Sequence, residues 1–448
     1  MADVRPFCGL RYNIARIGDI SSVVSPPYDI VSTEDQRFYY RESPHNAIRL
    51  ELGEEYHANS AGSNKYTRAA DTLRDWLEQG ILFREPVPAF YICQHRFVQQ
   101  GVLKNRWDIA GRVRLEGRGT AGARPHETTM ESRVQDRLGL LRACRVNVSP
   151  ILGIVRPDEQ GVGLASLLQR FVEVDPDLSA VDRQRVIHNM WVIRDEQSIA
   201  QISAWCADKV VYIADEHHRY ETALAYQKDR QAALSTSTGD EGYNFAMITM
   251  AGADDPGTIA LPTHRLLRLP KPKKLVELAE RLSRFFDMDY LDPVGNSLSE
   301  TLKGWLDVLE GRGRKGIVIG AYGLEKKRLC LLSPWEKARL DGIMPRERTQ
   351  EWKSLDVSVL QSVILRQVIG VDTSEKEEER LAYTQDEQEA VSRVDSGEYQ
   401  LAFLVNPLPI SSILAVADAG DRMPPKSTYF YPKLPTGLVM YPLWDNET

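Results

Sequence analysis

Two adjacent histidines and an arginine stand where an apolar run of the sequence meets a helical pattern. Residues 210–214 are apolar, and Asp215 follows them directly. His217, His218 and Arg219 come next, at the predicted start of a helix. Backbone N–H groups at a helix N-terminus point outward, and the helix dipole favours an anion there. An arginine fork also matches phosphate oxygens. The pattern therefore predicts a phosphate site at this turn, with Asp215 as a helix cap or as a magnesium ligand.

The same turn also fits a plainer structure. A capped surface helix with solvated basic residues would have the same sequence. A zinc site would need a third and a fourth ligand, and the side chains of adjacent His217 and His218 point apart. We therefore do not expect this turn alone to hold a metal ion.

A second polar motif joins a glycine-bearing loop at 116–125 to another predicted helix. His126 and Glu127 lie just before it, and Thr128 opens a capping-box pattern that predicts a helix start near this residue. Glu127 is a candidate general base or magnesium ligand. The alternative is an exposed helix start with a favourable acidic charge.

Two shorter motifs offer further charged groups. His264 and Arg265 follow an apolar strand, where they would close over a phosphate or simply form a basic strand end. Two prolines precede Tyr28 and Asp29, which predicts an extended turn that ends in a carboxylate. Its simplest interpretation is a rigid connection.

Several common enzyme motifs are missing from the sequence. Lys426 and the serine after it resemble the end of a P-loop, but the pattern G-x-x-x-x-G-K-[ST] is not present. A Walker-type ATPase is therefore excluded, although Lys426 remains a candidate phosphate ligand. Neither G-x-G-x-x-G after a strand nor a G-x-S-x-G elbow occurs, which removes the usual dehydrogenase and hydrolase classes.

The elements that must position these residues alternate between strand and helix patterns, which predicts a mixed α/β (α+β) fold. Strands are expected at 90–98 and 107–115 as a hairpin, and at 209–214 directly before the histidine turn. We predict three regions, each with its own share of the candidate residues: 1–157, 158–270 and 271–448.

Composition limits the class of protein. The chain has 448 residues, a net charge of −7 and 42% hydrophobic residues, which is ordinary globular usage. An acidic pI near 5.8 argues against nucleic-acid binding. Five scattered cysteines without C-x-x-C spacing predict neither a disulfide framework nor a structural zinc site. No signal peptide or membrane-spanning stretch is evident, so we expect a cytoplasmic protein without a membrane partner.

The order of the motifs resembles a known family. Six segments occur in a characteristic sequence, and together they span nearly the whole chain: 24–30, 126–128, 215–223, 261–265, 352–360 and 423–433. They resemble the prokaryotic domain of unknown function 1015 family. This resemblance implies a family and no activity.

The turn at 215–219 has a second resemblance. Its Asp-x-His-His-Arg pattern is similar to the nucleotide-contacting turn of the ParB/sulfiredoxin-like superfamily, which includes free-serine kinases. The resemblance implies a central mixed sheet of that character at 158–270, flanked by N- and C-terminal α/β regions. Glu216 stands where the pattern usually has glycine.

Two functions follow as hypotheses. The first is a nucleotide-dependent kinase of a small hydroxyl-bearing metabolite, with a nucleoside di- or triphosphate and Mg²⁺ as cofactors. Glu127 or Asp29 would act on the hydroxyl, and Asp215 or Glu127 would hold the magnesium ion. The phosphates would be bound by basic residues from the three motifs, with Tyr28, His126 and Thr128 nearby: His217, His218, Arg219, His264, Arg265 and Lys426.

The second hypothesis is a non-catalytic module that binds a nucleotide or phosphometabolite and acts as a switch. It would use the basic turn without the carboxylates. The two hypotheses differ in whether Glu127 or Asp29 lies close to the turn. The sequence gives no oligomeric state.

Overall fold

Helices and strands alternate along the chain, and the strands pair in both parallel and antiparallel directions. The predicted mixed α/β fold is confirmed. The structure is a computed structural model, and it describes residues 2–56, 62–116, 122–127, 129–172, 175–233, 238–269, 275–335, 340, 342–371 and 380–444.

The two longest strands of the described residues form the hairpin expected near 90–115. In chain order the strands are β1 Val4–Arg5, β2 Leu10–Tyr12, β3 Leu82–Arg84, β4 Phe90–Gln99, β5 Val102–Arg114, β6 Ala123–Pro125, β7 Val146–Asn147, β8 Ile151–Val155, β9 Leu178–Val181, β10 Ile187–Ile193, β11 Val211–Asp215, β12 Phe245–Gly252, β13 Ile259–Leu261, β14 His264–Leu267, β15 Phe286–Leu291, β16 Ile319–Tyr322, β17 Leu329–Pro334, β18 Leu381–Thr384, β19 Leu401–Leu404, β20 Tyr429–Tyr431 and β21 Tyr441–Pro442.

Many helices begin directly after a polar residue whose side chain accepts a backbone N–H of the first turn, as Asn64, Asp195 and Ser297 do. In chain order the helices are α1 Ile14–Ile17, α2 Thr33–Glu42, α3 Ile48–Glu51, α4 Lys65–Glu78, α5 Glu131–Cys144, α6 Leu164–Leu168, α7 Glu196–Cys206, α8 His217–Ala233, α9 Leu275–Leu282, α10 Leu298–Gly313, α11 Gln350–Lys353, α12 Asp356–Val359, α13 Glu387–Asp395 and α14 Ile410–Asp418. A π-helix, Leu360–Ile369, continues α12.

The chain forms two compact units. The first consists of Met1–Pro125, Thr129–Ile259 and Phe430–Thr448, and the second of His126–Thr128 and Ala260–Tyr429. The first unit runs across position 157, and the chain leaves it at 259, ahead of the boundary expected at 270. The assignment of the candidate functional residues to three separate regions, 1–157, 158–270 and 271–448, stays a prediction.

The first unit is built on a nine-stranded sheet. Its strands follow the order β6-β11-β8-β12-β5-β4-β10-β9, and β1 pairs with the end of β5. Successive residues of a strand point to opposite faces. In β4, Phe90 and Ile92 belong to one buried cluster, whereas Tyr91 and Cys93 belong to another. Both faces of the sheet are therefore covered, and polar side chains between the strands lie in a dry interior.

The second unit contains a six-stranded antiparallel sheet, in the order β15-β17-β16-β19-β14-β18. Leu302, Trp305 and Leu309 from α10 and Val391 from α13 belong to its buried cluster. The spacing of the α10 residues is the helical pattern that covers one face of a sheet.

Two elements near the candidate site test the sequence pattern. The strand expected at 209–214 is β11, and the helix after it is α8, so the strand-to-helix turn is confirmed. The helix start predicted near Thr128 is wrong. α5 begins at Glu131, because Met130 still has extended backbone and directs its N–H to His218 Nε2 at 3.0 Å. Thr128 itself lies outside the described residues.

Among the residues that the structure describes, no helix combines the length and the apolar character needed to cross a bilayer.

Candidate functional site

The turn between β11 and α8 consists of a single residue. Glu216 has a positive φ of 63°, the left-handed backbone that glycine adopts most easily. Its N–H donates to Asp215 Oδ1 at 2.9 Å, and its carbonyl accepts from the Arg219 N–H at 2.9 Å. The backbone thus keeps the conformation of a glycine turn although the residue carries a carboxylate.

Arg219 points into the protein. Its Nε donates to Glu216 Oε2 at 2.8 Å, and its Nη2 forms an ion pair with Glu51. Its side chain is only 11% exposed. The arginine is therefore part of a buried ionic cluster, and Nη1 takes part in neither of these two pairs.

Glu51, the last residue of α3, is the central acceptor of this cluster and is buried. Besides its ion pair with Arg219, the Glu51 carboxylate accepts hydrogen bonds from the Ser149 hydroxyl at 3.0 Å and from the Tyr28 N–H at 3.3 Å. The Ser149 oxygen also lies 2.5 Å from Thr436 Oγ1. Four separate parts of the chain therefore meet at one carboxylate.

Arg137 supplies a second buried guanidinium from α5. Its Nη1 donates to the Glu51 carbonyl at 2.8 Å, and its Nη2 lies 2.5 Å from Asp136. The guanidinium carbon lies 4.1 Å from the centre of the Tyr28 ring, and that of Arg219 lies 5.2 Å from it. The phenol ring is thus in contact with two cations, and burial raises the pKa of Tyr28.

A lysine from the last segment of the first unit completes the cluster. Lys433 Nζ lies 2.5 Å from Asp215 Oδ2, and the lysine side chain is 9% exposed. Both oxygens of Asp215 therefore have partners, one in Lys433 and one in the Glu216 N–H.

Glu216 is the group whose protonation is most changed by the cluster. Burial raises its pKa to about 8, and the carboxylates of Asp29, Asp215 and Glu51 act in the same direction, whereas Arg219 opposes them. Burial acts to lower the pKa of Arg219, but Glu51 and Glu216 outweigh it, so this pKa lies above its ordinary value. A carboxyl that exchanges a proton near neutral pH stands beside a permanently charged arginine.

A cavity of about 500 Å³ opens beside Lys433. Ser25, Pro26 and Ile30 line it on the side of the Tyr28–Asp29 turn. Its volume falls within the range of small-molecule pockets. A separate void of about 30 Å³ beside Arg137 and Arg219 has about the volume of one water and is too small for a phosphate group.

The structure brings together several of the predicted site residues. Tyr28 and Asp29 form a short 3₁₀ turn next to the β11–α8 turn, since Asp29 acts electrostatically on both Glu216 and Arg219. His217 is buried at the start of α8, and His218 accepts the Met130 N–H. As phosphate ligands the two histidines stay predictions.

The other predicted residues belong to the second unit: His126, Glu127, His264, Arg265 and Lys426. They form their own group there. Glu127 Oε1 accepts the Lys426 N–H at 3.1 Å, and Arg265 Nη2 donates to the Lys426 carbonyl at 3.3 Å. Burial and the neighbouring Arg265 lower the pKa of His264 to about 4. Their roles as general base and phosphate ligands stay predictions.

Sequence reasoning missed three residues of the cluster. Glu51 and Ser149 lie in segments without a recognisable motif, and Lys433 ends the recognised segment 423–433 without having been assigned a role there. Arg137 forms an ion pair with its neighbour Asp136 and also donates to the Glu51 carbonyl. One signal was available, because Arg137 lies three residues after Val134 in the apolar stripe of α5, where a solvated arginine would not be placed.

Fold and site define a mixed α/β protein with a buried ionic cluster at a strand-to-helix turn. The chain belongs to the family described as "Protein of unknown function (DUF1015)", whose model matches residues 4–358. This confirms the family inferred from the six ordered motifs.

No curated protein matches the chain. Among solved structures, it is similar to a conserved hypothetical protein from Pyrococcus furiosus, with 12% identity over 70% of this chain and 88% of that chain, and a TM-score of 0.32. It is similar to a free serine kinase in complex with AMP, with 12% identity over 69% of this chain and 83% of that chain, and a TM-score of 0.32. It is also similar to SbnI with a C-terminal truncation, from Staphylococcus aureus, with 12% identity over 76% of this chain and 90% of that chain, and a TM-score of 0.34. These TM-scores are too low to identify a shared activity.

Proposed function

We propose that this protein is a nucleotide-dependent phosphotransferase that acts on a small hydroxyl-bearing metabolite. One observation carries the proposal: Asp29 and Glu216 lie close enough to interact, beside the buried Arg219. Phosphoryl transfer needs cations around the phosphates and a carboxylate that orients or deprotonates the acceptor hydroxyl. Both kinds of group are present around one turn.

The roles follow from the contacts. Arg219 and Lys433 would neutralise phosphate charge, since both are largely buried cations next to the turn, and Lys433 also lines the cavity. Asp29 would accept the hydroxyl proton, as the sequence suggested. Glu216, whose pKa of about 8 leaves it largely protonated at neutral pH, would lower the cost of bringing an anion to this place.

Magnesium fits the site only through an exchange of partners. Asp215 is the carboxylate that would hold the ion, yet Lys433 occupies one of its oxygens. A nucleotide phosphate would attract Lys433 and leave that oxygen for Mg²⁺, which prefers carboxylate and phosphate oxygens. The ion would shield the charge of the transferred group.

The alternative is a switch protein that binds the same ligand without turnover. The nearness of Asp29 favours the kinase, because a binding module needs no carboxylate beside a phosphate. The test uses Asp29→Asn, with Asp71→Asn as the matched control, since Asp71 is an exposed carboxylate on α4. Nucleotides are screened with pooled hydroxyl-bearing metabolites by ³¹P NMR, and nucleotide affinity is measured by calorimetry.

We expect Asp29→Asn to lose turnover by at least about 100-fold, in line with a general-base contribution, while nucleotide affinity stays within a few-fold. Asp71→Asn should match the wild type. Nucleotide binding by the wild type without turnover of any metabolite would favour the switch, and no nucleotide binding at all would contradict both functions.

A further inference from the structure

We propose that Cys93, His95 and Asp108 bind a thiophilic divalent transition-metal ion, represented by Zn²⁺. One donor atom from each residue lies within 4.8 Å of the other two. All three side chains are buried. The proposed site shares no residue with the ionic cluster at the β11–α8 turn and does not depend on the proposed function.

The sheet itself brings the three donors together. Cys93 and His95 are two residues apart on β4, so their side chains share a face. Asp108 of β5 is the Cα partner of Cys93 in the antiparallel register, and such partners have neighbouring side chains. The spacing of the cysteines in the sequence therefore gives no sign of this site.

The ring orientation of His95 follows from its neighbours. Its Nδ1 lies 2.6 Å from His188 Nδ1, and His188 Nε2 lies 3.1 Å from Asp182 Oδ2. The Asp182 carboxylate accepts the Nε2–H of His188, which leaves His188 Nδ1 as an acceptor. His95 must then donate from Nδ1, and its Nε2 carries the lone pair. Metal-bound histidines are typically held in this way by a hydrogen bond from the other ring nitrogen.

Two acceptor atoms face each other at the proposed site. His95 Nε2 lies 3.0 Å from Asp108 Oδ2, but outside hydrogen-bond geometry. Neither His95 Nε2 nor Asp108 Oδ1 has a hydrogen-bond partner among the described residues. Buried acceptors without donors are unfavourable, and a cation bound by Nε2 and Oδ1 removes this cost.

Arg106 is a cation that could compete with a metal ion for the Asp108 carboxylate, but it contacts only one of the two carboxylate oxygens. Its Nε lies 3.2 Å from Asp108 Oδ2, and its Nη1 donates to the Pro432 carbonyl at 2.8 Å. The arginine therefore occupies Oδ2 and orients the carboxylate, while Oδ1 remains for the ion. A divalent ion with the Cys93 thiolate and the Asp108 carboxylate is neutral, so it does not add net charge beside Arg106.

The donor set selects the class of ion. Thiolate, imidazole and carboxylate together suit Zn²⁺ and its neighbours, whereas Mg²⁺ takes oxygen ligands. Burial and the nearby Asp108 hold the pKa of Cys93 well above its ordinary value, so the thiol is protonated without the ion. Binding therefore replaces one thiol proton by the metal.

The experiment produces the full-length chain in cells supplied with Co²⁺ or Zn²⁺, because wholly buried donors take up the ion as the sheet forms. Metal content is measured by mass spectrometry, and cobalt coordination by absorption. We expect about one ion per chain and a thiolate-to-cobalt charge-transfer band in the near ultraviolet. Cys93→Ser and Cys93→Ala should lose both, whereas Cys206→Ser, at a buried cysteine of α7, should keep both.

A graded variant tests the hydrogen-bond chain. His188→Phe removes the acceptor for His95 Nδ1 and should lower Zn²⁺ affinity about 10- to 100-fold, measured by competition with a chromophoric chelator. The proposal is overturned if the wild type shows no cobalt band, if both Cys93 variants retain it, or if Cys206→Ser loses it. A proton shared by His95 and Asp108 in place of an ion would give the first of these results, and the wild-type measurement decides this even if the Cys93 variants do not fold.

Discussion

Lys433 Nζ and Asp215 Oδ2 lie 2.5 Å apart although 218 residues separate them in the chain. The lysine comes from the last segment of the first unit, and the aspartate ends β11. The lysine of this contact also lines the cavity of about 500 Å³. The fold therefore holds this ammonium group by an ion pair at the wall of a cavity.

Replacing Lys433 by methionine should lower the free energy of unfolding by about 1 to 3 kcal/mol, because Asp215 loses the partner of a partly buried charge. The measurement is urea denaturation of Lys433→Met, Asp215→Asn and the double variant. We expect a coupling energy of about 0.5 to 3 kcal/mol between the two changes. Strict additivity would mean that the contact does not stabilise the protein.

Arg219→Ala should destabilise the protein by about 3 kcal/mol, because it leaves the buried Glu51 carboxylate with only the more distant Arg137, at 3.8 Å, as an ion-pair partner. For a solvent-facing arginine, which was the alternative interpretation of the sequence, little change in stability would follow. The matched control is Arg142→Ala, which breaks an exposed pair between Arg142 of α5 and Asp229 of α8. That change should cost about 1 kcal/mol or less. Similar losses for both variants would contradict the buried position of Arg219.

Stability should fall as pH rises from about 4.5 to 8 if Glu216 titrates as the structure indicates. The pKa of Glu216 is about 8 in the folded state, whereas the ordinary pKa of a glutamate is 4.5. Between these two pH values the folded state therefore binds more protons than the unfolded state. The contribution is complete below pH 4.5 and decreases by up to about 1.4 kcal/mol per pH unit above it. Glu216→Gln should flatten this slope, and Glu221→Gln, in the helix α8 that follows the turn, should not. An unchanged slope in Glu216→Gln would show that another group titrates.

Two substitutions at Glu216 separate its backbone from its carboxylate. Both Glu216→Gly and Glu216→Ala remove the carboxyl group that accepts a hydrogen bond from Arg219 Nε. Only glycine relieves the left-handed backbone, so the glycine variant should be more stable than the alanine variant by about 1 kcal/mol. Thermal denaturation at one pH measures the difference. Equal stability would indicate that the turn rearranges when the carboxylate is lost.

The local elements of the site could be predicted from the sequence. The apolar run before Asp215 and the helical pattern after it predicted β11 and α8, because strand and helix periodicities are local properties. The start of α5 could not be predicted, since the Met130 N–H is satisfied by His218, which lies 88 residues away. A capping pattern accounts only for partners within the same turn.

The partners of Arg219 were also beyond the sequence. Its basic neighbours suggested a solvated or phosphate-binding group, yet Glu51, 168 residues earlier, turns it into the interior. Charged residues in ordinary segments have no periodic pattern that marks them as buried. Only the sheet order and the packing of α3, α5 and α8 bring these side chains together, and that information is tertiary.

The composition of the first unit from three chain segments has a consequence for its synthesis. Residues 260–429, 170 in number, are translated after β12 and before the segment that carries Lys433 and Thr436. At about 5 to 20 residues per second, a ribosome needs about 9 to 34 seconds for this stretch. During that interval the nascent chain holds Asp215 and Glu51 without two of the side chains that complete their surroundings. The contact between Lys433 and Asp215 can therefore form only after codon 433 has been translated, and an mRNA truncated before this codon would yield a chain with the turn but without its lysine.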